Sequence, residues 1–220
     1  NFFFYLMKIS TWNVNSVNAR IEHLEKFIKK DQSDIYLLQE LKTIEDGFPK
    51  EIIKNAGYYS YVNGQKAWNG VAILSKEKLE ITNTSIPKYD DPNARFIETE
   101  IQLKKIKKLI KLINIYLPNG NPIETEKFDY KIEWMKKFNK YIQELKNKNT
   151  PIIISGDFNV IPSDDDVYSP ENFKNDACAH PLTREQYRIL INMGFTDLVK
   201  HFVEGKTNWT FWGYRGGGWQ

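Results

Sequence analysis

The sequence is poor in the groups that most often announce a function. Cysteine occurs once, as Cys178, so no internal disulfide can form, nothing calls for an oxidising compartment, and a cytoplasmic setting is expected. The three histidines, His23, His180 and His201, lie far apart without metal-ligand spacing, and no thiolate pair replaces them, which argues against zinc. Neither sign of charge dominates. The 31 Lys and Arg set against 28 Asp and Glu leave +3, too little to establish a nucleic-acid partner. No apolar run reaches the ~20 residues that span a bilayer. The run Asn1-Phe2-Phe3-Phe4-Tyr5-Leu6 is far shorter and lacks the basic flank and cleavage site of a secretory signal, so no membrane partner is expected. Residues 1–6 read as an extension before a natural start at Met7. No repeat and no Pro, Gly or Ser-rich linker interrupts the remainder, so 7–220 reads as a single domain.

What is present is an ordinary globular chain. It has 220 residues, 41% hydrophobic and 27% charged, and a chain of this size buries ~70% of its unfolded surface. Lys8 to Asn13 reads as a strand, and Arg20 to Lys30 as a helix with Ile21, Leu24, Phe27 and Ile28 on one face. Ile35 to Gln39 and Val71 to Ser75 are short, nearly continuous apolar runs, the pattern of strands covered on both faces. Phe96 to Leu103 and Leu109 to Tyr116 read as a hairpin whose basic connection, Lys104 to Lys108, is a solvated turn or, less simply, a DNA contact. Glu124 to Lys148 is the clearest helix, with Phe128, Ile132, Met135, Phe138, Ile142 and Leu145 at three- and four-residue steps. A strand over Ile152 to Ser155 runs into Gly156-Asp157, and a helix from Arg184 to Met193 stops at Gly194 in C-cap position. Strands interleaved with helices, with one hairpin, predict a mixed-sheet α/β layered fold.

The polar residues that end the strands carry the chemical signal. Asn13, Glu40, Tyr116 and Asp157 each close an apolar run with an oxygen-bearing side chain. Brought to one rim of a sheet, they make a pocket for a hard cation such as Mg2+, which takes few carboxylates and keeps water and substrate phosphate as ligands. In Asp157-Phe158-Asn159, an extended backbone sends carboxylate and amide to one side and Phe158 into the core. Taken singly, each residue has a plainer reading: Asp-x-Asn as a turn bonding its own backbone, Glu40 as surface, Asn13 as a strand-end cap. Asp164-Asp165-Asp166, after Pro162-Ser163, reads as a solvated turn, and Cys178 receives no catalytic role.

The ordered segments Trp12-Asn13-Val14-Asn15-Ser16, Leu38-Gln39-Glu40-Leu41-Lys42, Gly64-Gln65-Lys66 with Gly70-Val71-Ala72-Ile73-Leu74, Ile115-Tyr116-Leu117-Pro118-Asn119-Gly120 and Gly156-Asp157-Phe158-Asn159 resemble the successive motifs of the exonuclease III family of abasic-site endonucleases. Trp209 to Arg215 resembles that family near its C-terminus. The resemblance implies a DNase I-like four-layer α/β sandwich of two packed mixed sheets flanked by helices. It implies Glu40 as principal Mg2+ ligand (Mn2+ as substitute) with Asn13, Asp157 and Asn159 beside it. Asp157 would accept the proton of the attacking water, Asn159 would orient the scissile phosphate and Tyr116 would stabilise its charge. Asn119 would contact DNA phosphate, and Phe211, Trp212 and Trp219 would line an aromatic pocket for a flipped-out abasic sugar, a nucleotide with little stacking to lose. The implied partner is duplex DNA with abasic sites or 3′ ends, met by a monomer in the bacterial cytoplasm at the nucleoid.

The chain also departs from that pattern. Leu41 stands where the family usually has Thr, and nothing matches the family's C-terminal Asp or its final Asp-His pair. The expectation is a natural chain that continues past Gln220 with further strands, and weak activity for these 220 residues. Strong Mg2+-dependent incision by a preparation ending at Gln220 would refute it. Two other readings stand beside the repair enzyme: a DNA-binding module with an incomplete site, and a superfamily phosphodiesterase acting on another substrate.

Overall fold

The structure, a computed structural model, describes residues 7–103, 108–203 and 209–211. Its contacts gather into two compact units, one holding the residues up to Leu117 with Glu144–Phe158, the other Pro118–Gln143 with the residues from Asn159 onward.

The first unit holds both sheets. One contains β1 (Ile9–Asn13), β2 (Ile35–Gln39), β4 (Val71–Ser75) and β3 (Tyr59–Asn63) in that spatial order. The β1–β2 pair is parallel and the other two are antiparallel, so the sheet is mixed. Every residue of β2 and β4 is buried, as their unbroken apolar sequences predict. Their side chains divide by alternation. Tyr36, Leu38, Ala72 and Leu74 join Leu24 and Ile28 of α1 (Ile21–Asp31) on one face. Ile35, Leu37, Val71 and Ile73 face the second sheet and meet Ile97, Ile101, Ile110 and Leu112. That second sheet, also mixed, runs β5 (Ile81–Asn83), β6 (Phe96–Leu103), β7 (Lys108–Tyr116), β8 (Ile152–Asp157), with β7 and β8 parallel.

Between the sheets lies a buried amide pair. Gln39 Nε2 donates to Asn114 Oδ1 at 2.7 Å, and Asn114 Nδ2 donates to the carbonyls of Leu38 and Ala72 at 3.0 and 2.9 Å. These bonds are directional where the apolar contacts around them are not, so they fix the register of one sheet against the other. Gln39 immediately precedes Glu40, and Asn114 stands two residues before Tyr116 on the same strand.

In the second unit, α3 (Glu126–Asn147), whose last residues belong to the first, buries Phe128 and Ile132 with Ala177. Asn139 of α3 donates to the Gln186 carbonyl of α4 (Pro181–Asn192) at 3.0 Å. Gly194 follows α4 at φ +91, as its C-cap position predicts. The remaining helices are the short α2 (Lys50–Asn55) and α5 (Leu198–Phe202). The expected pair of mixed sheets flanked by helices is the observed fold. The connection Lys104 to Lys107 lies outside the described residues.

One local expectation fails and another holds only in part. Phe158 is half-buried instead of lying in the core, because β8 ends at Asp157 and Asn159 turns to φ +45, which breaks the extended alternation. The run Asp164–Asp166 is a 3-10 turn in which only the first two carboxylates are exposed. Asp166 accepts from the Ser163 amide and pairs with Lys200 at 2.8 Å, closing a capping box.

Candidate active site

β1 and β2 run parallel with Asn13 opposite Gln39, so Glu40 leaves the sheet next to Asn13. β7 and β8 run parallel with Tyr116 opposite Asp157. All four residues belong to the first unit, and they meet. The Asn13 amide nitrogen donates to Glu40 Oε1 at 2.8 Å and to Asp157 Oδ2 at 2.8 Å. Carboxylates only accept, so the group between them must be the NH2. The amide oxygen serves the chain itself, accepting from the Asn15 main-chain N–H at 3.0 Å in an Asx-turn. Asn13 is therefore a donor shared by two acids, and it would have to turn over to offer oxygen to a cation.

Glu40 has a second partner. Lys42 Nζ lies 2.9 Å from its Oε2 and also donates to the Asn15 side chain. Burial works against the Glu40 charge, but the Asn13 amide, the Lys42 ammonium and the Tyr116 hydroxyl outweigh it and hold the carboxyl below its ordinary range. The Tyr116 phenol moves the other way. Burial, reinforced by the Glu40 charge and opposed by Arg95, raises it, so the hydroxyl keeps its proton at neutral pH. The Arg95 guanidinium lies 4.8 Å from the Tyr116 ring centre and donates to the Tyr116 carbonyl at 3.1 Å.

The backbone here is unusual. Asn15, Ser16, Glu40 and Lys42 all have positive φ, between +45° and +84°. Such residues cost free energy and persist only where neighbours over-determine them. Main-chain bonds from Val14, Ser16 and Val17 to the carbonyls of Gln39, Glu40 and Leu41 do so here. Gly156 is equally forced: at φ +137 its backbone leaves a Cβ only 2.0 Å from the Ile115 carbonyl oxygen, and it delivers Asp157 to the end of β8.

Asn119 and Asn159 belong to the second unit. The Asn119 amide donates to Asn159 Oδ1 at 3.4 Å, and Cys178 Sγ lies within 3.9 Å of both side chains. Cys178 is thus buried against the two amides. Phe211 is exposed, and Trp212 and Trp219 lie outside the described residues. Of the histidines, His180 caps α4, while His23 and His201 are exposed. Asn15 and Lys42 lie within the sequence motifs around Asn13 and Glu40, yet neither residue type there announces a role. Their signal was position, one on each side of the Asn13–Glu40 pair.

Among the described residues no group of three or more His, Cys, Asp or Glu stands ready for a metal. Two carboxylates beside amide and phenol oxygens remain, which fits a hard cation that needs few protein ligands and excludes a softer thiolate or imidazole site.

Two mixed sheets gather at their strand ends two acids, a bridging amide and a neutral phenol, groups of the kind that metal-assisted hydrolysis uses. The chain belongs to the endonuclease/exonuclease/phosphatase family, whose profile matches residues 10–220. It is 34% identical to exodeoxyribonuclease III of Haemophilus influenzae over 199 residues, covering 87% of this chain and 74% of that protein. It is 30% identical to the exodeoxyribonuclease of Bacillus subtilis, covering 96% and 82%. Among solved structures, an AP endonuclease from Archaeoglobus fulgidus superposes with TM-score 0.88 at 31% identity, covering 97% of this chain and 80% of that one. The 3′ phosphatase NExo from Neisseria, bound to a product DNA hairpin, superposes with TM-score 0.87 at 31% identity, covering 96% and 80%. The chain is a nuclease-type hydrolase of the exodeoxyribonuclease III and AP endonuclease group.

Proposed function

We propose that the protein is a DNA repair nuclease that hydrolyses the phosphodiester 5′ to an abasic site in duplex DNA, with 3′–5′ exonuclease and 3′-end-cleaning activity. The observation that carries this reading is the Asn13 amide held between Glu40 and Asp157, with the Tyr116 hydroxyl on Glu40. Glu40, Asp157 and the amides of Asn13 and Asn159 would hold Mg2+, or Mn2+ in its place. Such an ion, when bound, polarises the phosphate and stabilises the leaving oxygen. Asp157 accepts the proton of the attacking water. Tyr116, still protonated, donates to the phosphate oxygens as their charge grows. The amides of Asn119 and Asn159 orient the phosphate, and Phe211, Trp212 and Trp219 receive the flipped sugar. Gln65 is spent within the protein, its side-chain oxygen accepting from the Asn69 amide and the main-chain N–H of Ala94 and its nitrogen donating to Asn93, while nearby Trp68 is 70% exposed, suited to contact with a duplex. No helix of the described residues is long and apolar enough to cross a membrane. The proposed place of work is the bacterial cytoplasm, where a monomer meets the chromosome.

The test uses enzyme in excess. A duplex carrying one tetrahydrofuran abasic analogue is incubated with Mg2+ or EDTA, beside an intact duplex and an RNA strand. Metal-dependent incision confined to the lesion supports the proposal. Retention without cleavage, or cleavage of RNA alone, sinks it.

A further inference from the structure

Lys131, in the second turn of α3, is the only fully buried lysine or arginine among the described residues. An ammonium withdrawn from water is costly unless its donors are used. Here Nζ donates to the main-chain carbonyl of Asn119 at 3.1 Å and to that of Asn159 at 2.6 Å. Those carbonyls belong to the two residues whose side-chain amides meet at 3.4 Å. One cation thus joins the backbone of a loop to that of a turn distant in sequence. Asn159 is held at φ +45, a conformation that needs such support. The aliphatic stem is accommodated as closely as its tip: a Cβ at Gly120, beside Asn119, would stand 2.5 Å from Lys131 Cδ and 3.2 Å from the Ala177 Cβ. An apolar side chain would fill the same space without holding either carbonyl.

We propose, resting on the nuclease reading above, that Lys131 is a positioning residue. Its ammonium ties the Asn119 loop to the Asn159 turn and so sets the spacing at which the two amides meet a substrate phosphate.

Lys131→Met keeps the stem and removes the donors and the charge. With enzyme in excess on the abasic duplex, K131M is expected to lower the single-turnover rate ten- to hundredfold, the scale of a misplacement near 1 Å. The Kd for uncleaved duplex in EDTA is expected to stay within about threefold, a split between rate and binding that general destabilisation does not produce. Because Lys131 acts through the spacing of the Asn119 and Asn159 amides, and N159A removes one of the pair, K131M/N159A is expected to lose clearly less than the product of the two single losses. A wild-type rate for K131M, or multiplicative losses in the double variant, overturns the proposal. A second readout needs no activity. The 15N side-chain amide resonances of Asn119 and Asn159 are expected to shift or broaden in K131M while those of Asn13 and Asn114 stay in place. Unmoved Asn119 and Asn159 resonances overturn the clamp. If wild type cleaves nothing, the nuclease reading fails by itself and the resonances still decide the clamp. If K131M does not fold, K131Q, which keeps an NH2 donor group without the charge, is read in the same ways, with smaller changes of the same sign expected and none overturning the proposal.

Discussion

Replacing Asn13 by Ala removes the one donor that two carboxylates share. Each lost bond is charge-assisted, a type that contributes about 1.5–3 kcal/mol. Glu40 Oε1 and Asp157 Oδ2 each lie 2.8 Å from the same nitrogen. They are thus within about 6 Å of each other, where two unscreened negative charges repel by about 3 kcal/mol at an effective dielectric of 20. The site is partly open and Glu40 keeps Lys42, so the net loss expected at pH 7.5 is about 2–4 kcal/mol, below the sum of these effects. The sign with pH follows from Glu40, whose folded carboxyl is held below its ordinary value. Its stabilising contribution is complete above about pH 4.3, the unfolded value, and is lost as pH falls through the folded one. The gap between wild type and Asn13→Ala should therefore narrow as the pH falls below about 4.3. Urea unfolding of both proteins at pH 7.5 and pH 3 measures it. At pH 7.5, added Mg2+ should stabilise Asn13→Ala, because a divalent charge offsets the repulsion the amide no longer bridges. A gap of the same size at both pH values, or one below about 0.5 kcal/mol at pH 7.5, refutes the bridging role.

Tyr116→Phe keeps the ring against Arg95 and removes only the hydroxyl, so single-turnover incision should fall about 10²–10³-fold with little change in DNA affinity in EDTA. A rate within twofold of wild type would show that the phenol donates nothing to the reaction. Gly156→Ala places a Cβ 2.0 Å from the Ile115 carbonyl oxygen at φ +137, and should cost about 3 kcal/mol or more or abolish folding, read as the thermal midpoint. Asp31 is held well below the usual carboxylate range: burial raises it, but bonds from Lys8, Ser33 and Ser10 prevail. Its contribution is present above about pH 3.9 and lost at lower pH, so Asp31→Asn should flatten the fall in stability below about pH 4. An unchanged acid slope would contradict this.

The central strands were legible because burial on both faces leaves a continuous apolar word. Ile35 to Gln39 and Val71 to Ser75 stand in the structure at the bounds their sequences predict. The edge strands β3 and β5 were not. Tyr59–Asn63 lies at the sheet margin, is nowhere fully buried and mixes Tyr, Ser and Asn, and Ile81–Asn83 is three residues long, so neither carries a periodic signal. The site was legible as a list of strand ends, since parallel pairing of β1 with β2 and of β7 with β8 places Asn13 beside Glu40 and Tyr116 beside Asp157. Its hydrogen bonding was not, because which atom of the Asn13 amide faces the acids depends on Asn15, whose left-handed backbone no pattern announces.

Gln39 and Asn114 explain why strand ends suffice to build a site. A purely apolar interface between sheets tolerates sliding, since one Ile packs nearly as well as another. Two amides buried between the sheets do not, because every displaced donor or acceptor would be left without a partner at about 1–3 kcal/mol each. Here Asn114 uses both faces of its amide, accepting from Gln39 and donating to the carbonyls of Leu38 and Ala72, a cross-strand pair in β2 and β4. A slip of one residue would also send every inward side chain of β7 to the opposite face. The separation of Glu40 from Tyr116 and Asp157 is thus fixed by a lock inside the core, one residue from the first acid and two from the phenol. The distance between the carboxylates is thereby set by the fold itself and not by the loops beyond the strand ends.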